Sequence, residues 1–94
     1  MYDLPAIELL ESTHTFPCRY TYKVIGRAEA NFVGRVLSAV RRELPPDAEP
    51  SFSSRKTAGG RHVSVTIEPD VETAADVLAI YRSLRELEGL VLLL

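Results

Sequence analysis

The order of two kinds of hydrophobic periodicity is the feature that most constrains the fold of this chain. Residues 19–25 and 61–68 alternate between apolar and polar side chains, as half-buried strands do. Residues 28–44 and the segment after Thr73 carry apolar side chains at helical spacing, and each is followed by a shorter strand pattern, at 51–55 and 90–94. The predicted order is therefore strand, helix, strand, strand, helix, strand.

This order predicts an α+β, ferredoxin-like βαββαβ sandwich, in which two strand–helix–strand units enclose a hairpin. Because crossover connections are right-handed, the four strands form one antiparallel sheet with both helices on one face. The first and third strands are predicted to be central and the other two to be edges. The predicted core comprises Tyr20, Tyr22, Val24, Phe32, Val36, Val40, Val63, Val65, Ile67, Val77, Tyr81, Leu84, Leu90 and Leu92.

A chain of 94 residues can bury one core of this kind. We assign residues 18–94 to a single domain and residues 1–17, which contain Pro5 and Pro17, to a flexible N-terminal arm. No apolar run reaches the ~18 residues that a membrane span requires, and the first residues lack the basic region of a signal peptide. We therefore expect a cytoplasmic protein without a membrane partner.

Few residues of the chain are suited to catalysis or metal binding. Cys18 is the single cysteine, which excludes an internal disulfide and a multi-cysteine zinc site. Pro17 prevents a helix from presenting His14 and Cys18 together, and His62 lies in a distant strand. We therefore predict a non-enzyme with no catalytic residue, metal or cofactor. The alternative is a small enzyme or thiol-dependent protein that uses Cys18.

The net charge of -2 conceals an uneven distribution along the chain. Residues 19–66 are basic, whereas residues 67–94 are acidic. Arg55, Lys56 and Arg61 flank the tip of the predicted hairpin, where they either keep an edge strand solvated or bind an acidic partner.

RNA binding is a further alternative, because RNA-recognition modules share the ferredoxin-like plan. Those modules stack bases on aromatic side chains of the open sheet face. The predicted open face carries no aromatic residue, so we expect no nucleic-acid partner. Its central residues are Thr21, Lys23, His62, Ser64 and Thr66.

The last strand is apolar at every position. Strict alternation directs Leu90, Leu92 and Leu94 toward the helices and leaves Val91 and Leu93 on the open face, beside Ile25. An apolar strip on an edge strand requires a cover, which a second copy, another protein or the N-terminal arm could supply. We expect a homodimer or a protein partner, and we expect Leu93→Lys to weaken such a dimer without unfolding the chain.

Several segments resemble the YbeD-like family of small bacterial proteins. The resemblance begins at Phe16-Pro17-Cys18 and Tyr20-Thr-Tyr-Lys-Val-Ile-Gly26, and it continues through Gly60–Thr66, Val77–Leu84 and Val91–Leu94. It implies a ferredoxin-like fold, similarity to ACT-like regulatory domains, and a role in metabolic regulation, with lipoate synthesis as one suggested pathway.

In ACT-like domains, the ligand lies at the first strand-to-helix turn. The resemblance therefore implies a site for a small carboxylate at Gly26, Arg27 and Asn31, where amides at the helix start could receive it. Together, the residues and the resemblance predict a bacterial regulatory or adaptor domain that acts through protein contacts or small-ligand sensing.

Overall fold

The computed structural model describes residues 4–94. The four-stranded antiparallel sheet has the order β3-β4-β2-β6, so the predicted ferredoxin-like fold is confirmed. No helix within residues 4–94 is long and apolar enough to cross a membrane. The elements in chain order are α1 (Ile7–Thr13), β1 (Cys18–Arg19), β2 (Tyr22–Arg27), α2 (Phe32–Arg41), β3 (Ser51–Lys56), β4 (His62–Glu68), β5 (Asp70–Val71), α3 (Ala74–Arg85) and β6 (Leu90–Leu93).

The two long helices begin at polar caps. Asn31, in the left-handed conformation, accepts a hydrogen bond from the Gly34 amide at the start of α2. Thr73 accepts one from the Asp76 amide at the start of α3, as its spacing from Asp76 predicts. Helix α2 is shorter than the predicted 28–44 because its first turn begins only after Asn31.

The core lies between the sheet and the helices. Tyr22, Val24, Val65 and Ile67 of the central strands are fully buried, which confirms the alternation predicted for them. Most of the predicted core is buried; Tyr20 and Leu90 are only partly so, and Leu92 is not part of the core. The helices supply Phe32, Val36, Val40, Val77, Ile80 and Leu84.

The first predicted strand is divided in two in the structure. Cys18 and Arg19 form β1, which pairs with β5 in a separate small sheet, and the central strand β2 begins at Tyr22. The predicted strand 19–25 ends just before Gly26, but in the structure Gly26 lies inside β2, where it pairs with Val63. The turn into the first long helix is therefore formed by the residues after Arg27.

The segment predicted as a flexible arm contains a docked helix. Leu10 of α1 is only 2% exposed and belongs to the core, and α1 packs against α3. Ile7 and Leu9 remain exposed. Residues 1–3 of the predicted arm lie outside the described residues.

The orientation of Leu93 is a correction to the sequence prediction. Leu93 pairs with Val24 and is only 5% exposed, so it faces the helices, whereas Leu92 pairs with Ile25 on the opposite face. Between Ile25 and Gly26 the register shifts, and Leu90 is the next residue to pair, with Gly26. This β-bulge at Val91 breaks the alternation and exchanges the faces of every residue after it.

Candidate interaction surface and ligand pocket

The open face is the side of the sheet that α2 and α3 do not cover. Strand pairing aligns its outward side chains in rows across the four strands. One row runs Arg55, Ser64, Ile25 and Leu92, and the next runs Ser53, Thr66, Lys23 and Leu94. Each row therefore begins with polar side chains at the β3 edge and ends on an apolar one at the β6 edge.

The apolar strip consists of Ile25, Leu92 and Leu94. Ile25 and Leu92 are half-buried, and Leu94 is 61% exposed. Leu94 exchanges two backbone hydrogen bonds with Lys23, which extends the pairing beyond β6 and places its side chain on the open face. An exposed strip of this kind is a typical contact surface for another molecule.

The open face is also basic. Lys23, Arg27 and Arg55 are exposed. Among residues 4–94, the ion pairs within 4.0 Å are Arg19–Asp70 and Arg41–Glu49, so these three cations have no side-chain carboxylate partner. Among the described open-face residues of the four strands the single side-chain carboxylate is that of Glu68, beside Ser51, and it accepts a hydrogen bond from Thr21 at 2.9 Å. The face is therefore complementary to a negatively charged molecule.

The three basic residues predicted as one docking site do not converge. Arg55 faces outward in line with Ser64, whereas the neighbouring Lys56 pairs with Val63 and faces the helix side. Arg61 lies at the end of the hairpin turn and is exposed. Of these three basic residues, only Arg55 shares the open face with Ile25.

A pocket of about 340 Å³ lies at the start of α2. Its walls are formed by residues 28–33 together with Lys56 and Val63. Lys56 is the one cation in these walls, and the first turn of α2 provides backbone amides with partial positive charge. The carboxylate of Glu29 lines the same walls and offsets the charge of Lys56, so the pocket has room for a small molecule but no net positive side-chain charge.

Gly26, Arg27 and Asn31, the ligand residues that the resemblance implies, do not line one common pocket. Gly26 is buried, and a Cβ atom at this position would lie 2.2 Å from Cζ of Phe32, so the glycine makes room for the ring. Arg27 lines a different depression beside Gly89. Asn31 alone borders the pocket, and its side chain caps the helix.

Arg35 joins the two connections at this end of the sheet. Its Nε donates to the Ala30 carbonyl and its Nη1 to the Glu88 carbonyl, both at 2.9 Å. Its guanidinium also lies 5.4 Å from the centre of the Phe32 ring, a cation–π contact. Ala30 and Asn31, held by these contacts, both have positive φ of 53°, which is unfavourable for an alanine.

Three tyrosines meet at the opposite part of the core, a cluster that the sequence did not predict. The Tyr20 and Tyr81 hydroxyls are 3.0 Å apart, and the Tyr22 hydroxyl donates to the Val77 carbonyl. Burial raises the pKa of Tyr22 and that of Tyr81 above the ordinary tyrosine value, and neighbouring tyrosines raise them further. These groups therefore remain neutral and serve as packing and hydrogen-bonding elements.

His14 and Cys18 lie near this cluster in different settings. The His14 ring packs on Tyr20 at 5.2 Å, and its Nδ1 lies 3.0 Å from the Thr13 hydroxyl. Cys18 is half-buried in β1. His62 lies far along the chain in β4, on the open face. Within residues 4–94, no group of three or more His, Cys, Asp or Glu side chains is arranged to hold a metal ion.

Sequence reasoning identified part of the surface and misplaced the rest. Ile25, Lys23, Ser64 and Thr66 lie on the open face as predicted, and Arg55, predicted as a partner-binding residue, lies on the same face. Strict alternation directs Leu92 and Leu94 toward the helices instead, because the bulge has no signature in a run of four similar residues. Side chains alternate along β3, so the sequence already indicates that Lys56 faces the side opposite to Arg55, where it lines the pocket.

Comparisons with known proteins agree with the YbeD-like resemblance. The family described as "Protein of unknown function (DUF493)" matches residues 11–94. A UPF0250 protein of Shewanella sediminis is 35% identical over 89 residues, which cover 95% of this chain and 94% of the relative. The UPF0250 protein plu1293 of Photorhabdus laumondii is 37% identical over 81 residues, 86% of either chain.

A solved structure has the same fold. The solution structure of HP0495 from H. pylori superposes with a TM-score of 0.71, covering 100% of this chain and 98% of that one, at 13% sequence identity. At that identity the likeness concerns the fold alone. The match over residues 11–94 and the bacterial relatives establish the family: the chain belongs to DUF493, the YbeD-like group of small bacterial proteins.

Proposed function

We propose that this protein is a non-enzymatic regulatory or adaptor domain of the bacterial cytoplasm that acts by binding another protein through its open face. The observation that carries the proposal is the apolar strip of Ile25, Leu92 and Leu94 beside cations that form no ion pair with any residue of 4–94. Apolar side chains surrounded by a polar rim are typical of protein interfaces.

The proposal predicts that Leu92→Lys abolishes partner binding. Lysine at this position would place a charge in the centre of the strip, so we expect at least a tenfold loss of the captured partner. The measurement is quantitative co-purification from the native host, with light scattering of the isolated protein to detect a homodimer.

Leu9→Lys is the matched control for this experiment. Leu9 is 55% exposed on α1, which packs against α3 away from the open face. We expect Leu9→Lys to retain the partner. Equal capture by the wild-type protein and by Leu92→Lys, with no change in oligomeric state, would refute an interface on the open face.

Small-ligand sensing is a second candidate, favoured by the pocket of about 340 Å³ at the start of α2. A carboxylate there would face Lys56 and the first turn of the helix, and it would have to lie away from Glu29 in the same walls. An NMR titration with amino acids and lipoate-related acids separates the candidates, because sensing requires shifts at Ala28, Asn31 and Lys56. If the chemical shifts of these amides do not change at millimolar ligand, ligand sensing is refuted and only the protein-contact proposal remains.

A Cys18-dependent activity belongs to a different class of function. The half-buried thiol lies in β1, and nearby His14 is engaged with Thr13 and Tyr20. Full biological activity of a Cys18→Ser variant is the result that the proposed adaptor function requires.

A further inference from the structure

We propose that the partner presents an acidic and apolar segment to the open face, with its carboxylates over the β3 side and its apolar side chains on the strip. This inference rests on the proposed function and specifies the chemistry of the partner. In the row from Arg55 to Leu92 the cation and the apolar side chain occupy opposite ends, and in the next row Lys23 lies between Thr66 and Leu94. A single segment that crosses the strands would therefore meet both.

The row from Arg55 to Leu92 sets the dimensions of the segment. Arg55 pairs with Ser64, Ser64 with Ile25, and Ile25 with Leu92. Three strand spacings of about 4.8 Å separate the first residue from the last by roughly 14 Å. This distance corresponds to about nine residues of an α-helix, so an acidic turn and an apolar turn about nine residues apart would match the row.

The polar end of the rows is suited to receive carboxylates. A depression of about 290 Å³ is lined by the hydroxyl-bearing residues Ser53, Ser64 and Thr66, together with Arg55. Lys23 stands next to Thr66 in the second row. Hydroxyl donors combined with two cations favour an anionic side chain over a neutral one.

The same charges disfavour a second copy packed face to face. Two open faces in contact would bring together Lys23, Arg27 and Arg55 of both copies, and Glu68 is the only side-chain carboxylate among the described open-face residues of the strands to offset them. Like charges in an interface oppose association. The occupant is therefore a different surface, acidic where the open face is basic.

The test is an NMR titration of the full chain with a synthetic helical peptide of about sixteen residues. The peptide carries glutamates in one turn and leucines about nine residues further on. We expect amide shifts at Arg55, Ser64, Ile25 and Leu92, and weaker binding as salt is raised. A peptide with lysines in place of the glutamates is expected not to bind.

Arg55→Glu and Lys56→Glu form a matched pair of variants. Both reverse one charge at neighbouring positions of β3, but Arg55 faces outward and Lys56 faces the helix side. We expect Arg55→Glu to weaken peptide binding about tenfold and Lys56→Glu to change it less than twofold. Equal effects of the two variants, or no shifts with either peptide, would overturn the inference.

The failure of this inference is distinguishable from the failure of the proposed function. If the partner from the host is lost in Leu92→Lys but bound equally by Arg55→Glu and Lys56→Glu, the partner is not acidic and the adaptor function stands. If none of the three variants changes capture, both proposals are wrong. If light scattering shows that the isolated protein forms a homodimer that Leu92→Lys disrupts, the occupant is a second copy of the chain, and the inference is refuted.

Discussion

Replacing Leu93 with lysine is expected to unfold the protein, or to lower its free energy of unfolding by about 3–5 kcal/mol. Leu93 is 5% exposed, pairs with Val24 and belongs to the core between the sheet and the helices. A lysine there would bury an ammonium group that has no partner. Small domains have about 5–15 kcal/mol of total stability, so this loss is a large part of it.

Leu92→Lys is the control, because it introduces the same charge at the next position on the open face. We expect this variant to change the free energy of unfolding by less than about 1 kcal/mol. Urea denaturation followed by circular dichroism measures both variants. If Leu93→Lys were as stable as Leu92→Lys, the bulge at Val91 would be wrongly placed and the uninterrupted alternation would be correct.

Gly26→Ala is expected to lower the free energy of unfolding by about 2–3 kcal/mol. The new Cβ atom would lie 2.2 Å from Cζ of Phe32 and 2.5 Å from both Cε atoms, which is far inside van der Waals contact. The ring has little room to move, because Phe32 is 2% exposed and Arg35 lies over its face. Thermal or urea denaturation of the variant measures the effect.

A double-mutant cycle with Phe32→Leu tests the cause of that destabilisation. Leucine lacks the ring tip that the Cβ atom would meet, so Gly26→Ala should cost less in the Phe32→Leu background than in the wild type. Additive losses would show that the clash is not responsible. A neutral Gly26→Ala variant would contradict the close packing of β2 on α2.

The fold was predictable because strand alternation and helix caps are visible in short stretches of the sequence. The alternation at Val63, Val65 and Ile67 identifies a central strand, and Thr73 marks the start of α3 by its hydrogen bond to Asp76. The resemblance added the family, and the comparisons confirm it. These signals are local, so a single sequence is sufficient to read them.

The misassigned features depend on contacts between distant residues. The bulge is defined by how Leu90–Leu93 align with β2, and four similar side chains give no indication of that register. The role of Gly26 depends on Phe32, which approaches it only after the chain has turned. The tyrosine cluster joins residues 61 positions apart through the Tyr20–Tyr81 hydrogen bond. None of these pairings is encoded by spacing along the chain.

The position of Arg35 has a consequence for the local dynamics of the molecule. One side chain is hydrogen-bonded to Ala30, before α2, and to Glu88, after α3. Opening either connection breaks the anchor of the other, so the two form one cooperative unit of local unfolding. We therefore expect amide hydrogen exchange in the two connections to report a common opening free energy, so that the pocket beside Ala30 opens together with the connection after α3.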